Sequence, residues 1–232
     1  MNKNKPLSTI DLVVIFDMDG VIINSEPLHQ ECEREMFSEM DIFLTQEEHD
    51  RFLGVSGFYM WKQLIEKFDL NESVERLVEI QNTCFIKKLE NLKHLPIIEG
   101  VKSLIKELSE KQVLLILASS SSQRVIDKIL TLSKLKKYFK HIISGYEIKK
   151  SKPAPDIFIK ATEMAGVTPD KCIVIEDSEN GVLAAKHAGM KVIGFLNGFN
   201  SKESLFYADK IVNDFSELSV LFRRDYLIFE TG

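Results

Sequence analysis

Two aspartates one residue apart, Asp17 and Asp19, close the apolar run Val13-Val14-Ile15-Phe16 and lead directly into Gly20. A run of β-branched and aromatic side chains of this length reads as a strand buried on both faces. Carboxylates at its C-terminal end would lie on the edge where open α/β sheets bind ligands. Three further polar groups follow apolar runs along the chain: Ser119 after Val113 to Ala118, Lys152 in a loop after Ile142-Ile143, and Glu176-Asp177 after Cys172 to Ile175. Clustered carboxylates repel unless a cation intervenes, and an oxygen-only set with few protein ligands suits Mg²⁺. Lysine and serine add positive charge and hydrogen-bond donors, as a bound phosphoryl group requires. Each group also has a plainer use: Asp-Gly as a turn, Ser119 or Asp177 as a helix cap, Lys152 as a solvated lysine. Four such groups at successive strand ends favour one site.

The elements that must position them alternate. A helix over 99–111 presents Val101, Leu104, Ile105 and Leu108 on one face, ahead of the strand that ends at Ser119. Val125, Ile129 and Leu132 mark the next helix, 156–165 another, and the glycine-punctuated stretch 180–188 a third. Strands near Val192-Ile193 and Ile211-Val212 complete the series. Alternation of this kind predicts a parallel, doubly wound α/β sheet with right-handed crossovers, and a parallel sheet gathers all strand C-termini on one edge.

Between the first strand and Pro96 the pattern is helical throughout. Leu28, Cys32 and Met36 recur at four-residue spacing; Leu64, Ile65 and Phe68, then Leu77, Ile80 and Cys84, mark two more faces. Asn24 or Ser25, ahead of Pro27, is the expected cap of the first helix, and Gly54-Val55-Ser56-Gly57 is the expected loop between two later ones. About 70 residues is too long for an ordinary connection. The expectation is a Rossmann-like core built from 1–23 and 96–232, an α-helical cap inserted over 24–95, and hinges at 20–24 and 92–99.

The 232 residues are 44% hydrophobic and 28% charged, an ordinary soluble composition with a net charge of −5. That balance argues against nucleic acid as a partner, and the basic group Lys134, Lys136, Lys137 and Lys140 reads as a solvated helix end. Cys32, Cys84 and Cys172 are odd in number, far apart and without metal-binding spacing, so free thiols and a reducing compartment are expected. No stretch reads as a membrane span or a signal peptide, which points to the cytoplasm. The apolar tail 226–229 reads as an edge strand or core packing, and less readily as a dimer contact; the chain reads as a monomer or weak dimer.

Taken together, Phe16-Asp17-Met18-Asp19-Gly20-Val21, Leu117-Ala118-Ser119-Ser120-Ser121, Ser151-Lys152-Pro153-Ala154-Pro155-Asp156 and Ile175-Glu176-Asp177-Ser178 with Gly181 resemble the haloacid dehalogenase-like hydrolases. The resemblance is to those with a helical cap, near the β-phosphoglucomutase and sugar-phosphate phosphatase branch. It implies that Asp17 is the nucleophile that forms an aspartyl-phosphate, and that Asp19 is the acid and then the base. It further implies that Asp17, the Asp19 carbonyl and Asp177 hold Mg²⁺ with Glu176 beside them, and that Ser119, Ser120 and Lys152 bind the phosphoryl oxygens. Lys152 is preferred to Lys149 and Lys150 because Pro153 and Pro155 restrict the backbone around it. Asp19 disfavours a dehalogenase, which needs no acid for an alkoxide and carries another residue type there. The intact set disfavours a silent binding module, and no cap lysine can be placed for a phosphonate-cleaving relative.

Glu26, His29, Gly54 and Ser56 are the cap residues expected at the substrate, whereas Trp61 reads as core. The mutase pattern has cations where this chain has Gly57, Gln81 and Ser122, so a bisphosphate intermediate would be gripped weakly. The expected activity is hydrolysis of a small phosphorylated metabolite, most plausibly a sugar phosphate. His29 keeps a mutase as the alternative.

Overall fold

The computed structural model describes residues 12–52 and 55–221. Six strands form one parallel sheet: β1 (Val13–Phe16), β2 (Leu114–Ser119), β3 (His141–Ser144), β4 (Cys172–Glu176), β5 (Lys191–Phe195) and β6 (Lys210–Val212). Their order is β3-β2-β1-β4-β5-β6, so the chain reverses direction across the sheet at β1. A crevice at that switch point is the binding place of doubly wound folds.

The apolar strands are buried on both faces, and alternate residues feed opposite layers. Val14 and Phe16 of β1, Leu115 and Leu117 of β2, and Ile173 and Ile175 of β4 join one core cluster. That cluster is covered by α5 (Val101–Glu110), α6 (Gln123–Ser133) and α9 (Phe215–Leu221). Val13, Ile15, Ile116, Ala118 and Val174 face the other way, against α7 (Asp156–Ala165) and α8 (Glu179–His187). The α5 face expected from spacing, Val101, Leu104, Ile105 and Leu108, is fully buried.

Four helices fall between β1 and α5: α1 (Glu26–Glu39), α2 (Gln46–Asp50), α3 (Gly57–Phe68) and α4 (Val74–Asn91). Of these, α1, α3 and α4 share a cluster of their own around Met36, Phe37, Met60, Trp61, Leu64, Leu77 and Val78. Cys32, Phe85, Ile86 and Leu89 turn instead toward the sheet's core. The α4 stripe differs from expectation. Ile80 is exposed, and the buried face runs through Leu77, Val78, Gln81 and Phe85, because α4 packs against both α1 and α3. The two chain crossings below the helices are tied to each other: Asn24 N donates to Pro96 O at 2.8 Å, and Ile98 N to Ile22 O at 3.0 Å.

Gly54 and the apolar tail 226–229 lie outside the described residues. The three cysteines are free. No described helix is long and apolar enough to cross a membrane.

Candidate active site

Register brings the strand-end residues together. Phe16 pairs with Leu117 on one side and Ile175 on the other, so Asp17 stands level with Ala118 and Glu176. Lys152 reaches this point from the loop ahead of α7. Its Nζ donates to Asp17 Oδ1 at 2.6 Å, Glu176 Oε1 at 2.7 Å and Ala118 O at 3.4 Å. Only 3% of the lysine side chain is exposed. Burial alone would favour its neutral form, but the two carboxylates outweigh that and raise its pKa.

Glu176 spends both oxygens within this arrangement. Oε2 accepts from the backbone of Asp177 and Ser178 and from Ser178 Oγ, while Oε1 takes the lysine. Expected beside the metal, it is placed as the partner that holds Lys152. Gly181 permits this fit, since a Cβ there would fall 1.7 Å from Glu176 Oε1.

Asp19 is held by a different set. Ser25 Oγ donates to Oδ1 at 2.5 Å, and Ser121 Oγ and Ser119 Oγ donate to Oδ2 at 2.7 and 3.3 Å. His29 Nε2 lies 3.5 Å from Oδ1, and its ring stacks on Phe85 with centroids 4.1 Å apart. Burial would raise the Asp19 carboxyl, but the hydrogen bond and charge of His29, with Ser25 and Ser121, lower it to about 2. Ser25 occupies the N-cap position of α1 without capping through its side chain, contrary to expectation. The nearer carboxylate takes its hydroxyl.

Ser119 is fully buried, with its Oγ also accepting from Ser121 N at 3.0 Å, so the cavity is lined by Ser120 and Ser121 instead. Ser122 caps α6 by accepting from Val125 N. Ser56 caps α3, and its Oγ lies 3.3 Å from Ser151 Oγ across the boundary with the core. Ser178, and not Asp177, caps α8.

Asp177 is positioned by residues that sequence reasoning passed over. Asn197, just past β5, donates through Nδ2 to Asp177 Oδ2 at 2.8 Å and to Gly20 O at 3.0 Å. Asn200 donates to Asp177 O and Phe195 O at 2.6 and 2.8 Å. Gly20, at φ +75°, lies so close that a Cβ would fall 1.9 Å from Asp177 Oδ2. The one available signal was that these asparagines also follow a strand end on the same edge.

Burial raises the Asp17 carboxyl above the ordinary carboxylate range; Lys152 opposes this, while Glu176 and Asp19 reinforce it. Asp177 is raised well above the usual range by burial, then by Glu176 and Asp17. Two crowded carboxylates short of positive charge offer oxygen donors that a hard divalent cation fits. Among the described residues no group of three or more His, Cys, Asp or Glu side chains forms a complete metal cage. A cation here would therefore depend on a backbone carbonyl, substrate oxygens and water to complete its shell, as Mg²⁺ does.

A cavity of about 760 Å³ opens over these groups, with Asp17, Asp19, Lys152 and Asp177 on one side. Glu26, His29, Glu33, His49, Gly57 and Gln81 of the four-helix unit form the other. Its only described Lys or Arg side chains are Lys152 and Arg51, and Arg51 is paired with Glu47 at 2.9 Å.

Residues 14–195 match the profile of the haloacid dehalogenase-like hydrolases. A phosphorylated carbohydrates phosphatase of Thermotoga maritima is 34% identical over 203 residues, covering 85% of this chain and 91% of the relative. A β-phosphoglucomutase of Bacillus subtilis is 29% identical, covering 89% and 91%. The solved β-phosphoglucomutase of Clostridium difficile shares the fold at a TM-score of 0.81 and 23% identity, covering 94% of this chain and 97% of its own.

Proposed function

The chain belongs to the haloacid dehalogenase-like hydrolases, and on that premise we propose that it is a Mg²⁺-dependent phosphatase of sugar phosphates or similar small phosphomonoesters. One observation carries the reading. Asp17 and Asp19 open into a single cavity whose only described Lys and Arg side chains are Lys152, beside the reacting carboxylate, and the already paired Arg51.

Asp17 attacks phosphorus in line, a bond forms from its carboxylate oxygen, and the bond from phosphorus to the leaving oxygen breaks. Asp19 supplies the proton to that leaving oxygen. Its carboxyl is held low before substrate binds, and a phosphate placed beside it raises its proton affinity. Asp19 therefore takes up a proton from solvent as substrate binds and passes that proton to the leaving oxygen. Water then attacks the aspartyl-phosphate, Asp19 takes the water's proton, and inorganic phosphate leaves with Asp17 restored. Lys152 neutralises the phosphoryl oxygens, and the Ser120–Ser121 turn lines their path. Mg²⁺ held by Asp17, Asp177 and the Asp19 carbonyl supplies Lewis-acid charge to the phosphoryl oxygens when bound. Residues 24–95 act as the cap that closes over the substrate, and the protein works in the cytoplasm.

The sequence positions where a mutase would place cations support hydrolysis. Gly57 faces Gln81, and Gln81 is neutral and committed to Trp61 and Glu33. A second reading, phosphosugar mutase, is favoured by His29 against Asp19 and by the Bacillus subtilis relative. Phosphate release from a panel of sugar phosphates with Mg²⁺, run beside Asp17→Asn, tests both. The same tubes are assayed for glucose 6-phosphate formed from β-glucose 1-phosphate and a bisphosphate primer. Metal- and Asp17-dependent release without isomerisation supports the phosphatase; isomerisation that outpaces release replaces it with the mutase.

A further inference from the structure

A buried polar chain in the four-helix unit takes no part in the chemistry above. Glu33 of α1 is at its centre: Oε2 lies 2.5 Å from His49 Nε2 of α2, and Oε1 accepts from Gln81 Nε2 of α4 at 2.8 Å. Gln81 Oε1 in turn accepts from Trp61 Nε1 of α3 at 2.8 Å. One residue from each helix is thus joined in series. The side chains of Glu33 and His49 remain only 13% and 14% exposed, and both line the cavity that holds Asp17 and Asp19.

Joining four helices does not require such a chain. Apolar side chains of similar volume would join them without the cost of desolvating a carboxylate. What the chain provides is a fixed acceptor on the cavity wall. His49 and Gln81 fix one oxygen each, and every carboxylate oxygen can accept more than one hydrogen bond. Glu26 lies on the same wall, as do the amides of Gln30 and Asn82. The only described Arg lining the cavity, Arg51, makes an exposed pair with Glu47, and carboxylates outnumber it on this wall. Acceptors and amides suit hydroxyl groups, whereas two carboxylates repel a second phosphate.

We propose that Glu33, oriented by His49 and Gln81, determines which leaving group the cavity accepts. It receives hydrogen bonds from the hydroxyls of an uncharged, hydroxyl-rich end and discriminates against a substrate whose far end carries another phosphate. This rests on the phosphomonoester reading above. Glu33 is a specificity residue, held by His49 and Gln81 on the cavity wall.

The test compares wild type, Glu33→Gln and His49→Gln on three probes: glucose 6-phosphate, fructose 1,6-bisphosphate and p-nitrophenyl phosphate, whose leaving group has no hydroxyls. Glu33→Gln is expected to lower kcat/KM on glucose 6-phosphate by about 10-fold or more, chiefly through KM, as loss of a hydrogen bond to a charged group would. Turnover of p-nitrophenyl phosphate stays within about twofold, and discrimination against the bisphosphate shrinks. His49→Gln moves the same parameters in the same direction by less, and provides the readout should Glu33→Gln fail to fold. An equal loss on glucose 6-phosphate and p-nitrophenyl phosphate, or no loss on either, overturns the assignment while leaving the phosphatase standing. Absence of wild-type turnover on all three probes overturns both.

Discussion

Lys152 and Asp17 meet at 2.6 Å, and the same ammonium meets Glu176 at 2.7 Å, so one buried cation serves two buried carboxylates. The triad joins β1, β4 and the loop before α7 at the sheet's switch point. Asp17 and Lys152 lie 135 positions apart in sequence, and Glu176 lies a further 24 beyond Lys152.

Lys152→Ala should therefore cost stability as well as activity. Removing one partner of a buried pair typically costs about 3–5 kcal/mol, a large share of the roughly 5–15 kcal/mol that holds a domain together. Urea denaturation of the variant reads the first effect and phosphate release the second. A stability change below about 1 kcal/mol, the range of exposed pairs, would mean that the triad does not hold in solution.

Mg²⁺ should stabilise the fold through Asp177. At one hundred times its Kd, a bound ion adds about 2.7 kcal/mol, several degrees in Tm for a chain of this size. Asp177→Asn should abolish that increment. It should also raise the Tm of the metal-free protein, because it removes a buried carboxylate crowded by Glu176 and Asp17. Scanning calorimetry with Mg²⁺ and with chelator gives all four values.

Asn197→Ala should weaken metal binding. The amide pins Asp177 Oδ2 and the Gly20 carbonyl together, and groups that orient a metal ligand typically contribute about 10- to 100-fold in affinity. Mn²⁺ titration followed by electron paramagnetic resonance measures this without any turnover. An unchanged Kd would restrict Asn197 to holding the loop.

Acid should loosen the far side of the sheet through Asp209. Burial would raise its carboxyl, but Lys186, the Val192 N–H and Lys191 outweigh burial and lower it below the ordinary 3.8. Its stabilising contribution is complete above that value and is lost as pH falls through the folded pKa. Between about pH 5 and pH 2, wild type should lose more stability than Asp209→Asn. Parallel denaturation curves for the two proteins would count against this.

The sheet was readable because a buried strand announces itself as an unbroken apolar run, and a parallel sheet puts every strand end on one edge. Asp17, Asp19, Lys152, Glu176 and Asp177 come together for that reason alone. The division of labour among them was less accessible. Both Ser25 and Ser119 looked like helix caps or phosphate donors, and only the three-dimensional approach of Asp19 gives their hydroxyls a different partner. Periodicity also misjudged α4 by part of a turn, exposing Ile80 and burying Gln81, since a helix's rotation follows the neighbours it packs against. Glu33 and His49 lie on separate helices with no shared motif, so nothing in their spacing could have paired them. Asn197 and Asn200 sit in a loop whose composition reads as an ordinary turn.

Trp61, the chain's one tryptophan, is fully enclosed within the four-helix unit, edge-on to Phe37 at 5.7 Å. The sheet and its flanking helices contain no second indole. Intrinsic fluorescence excited at the indole band is therefore a local probe: it follows one part of the molecule and is silent on the other, while far-ultraviolet circular dichroism follows both. The sequence has thus built in an optical label on the helical part, and none on the part that carries Asp17 and Asp19.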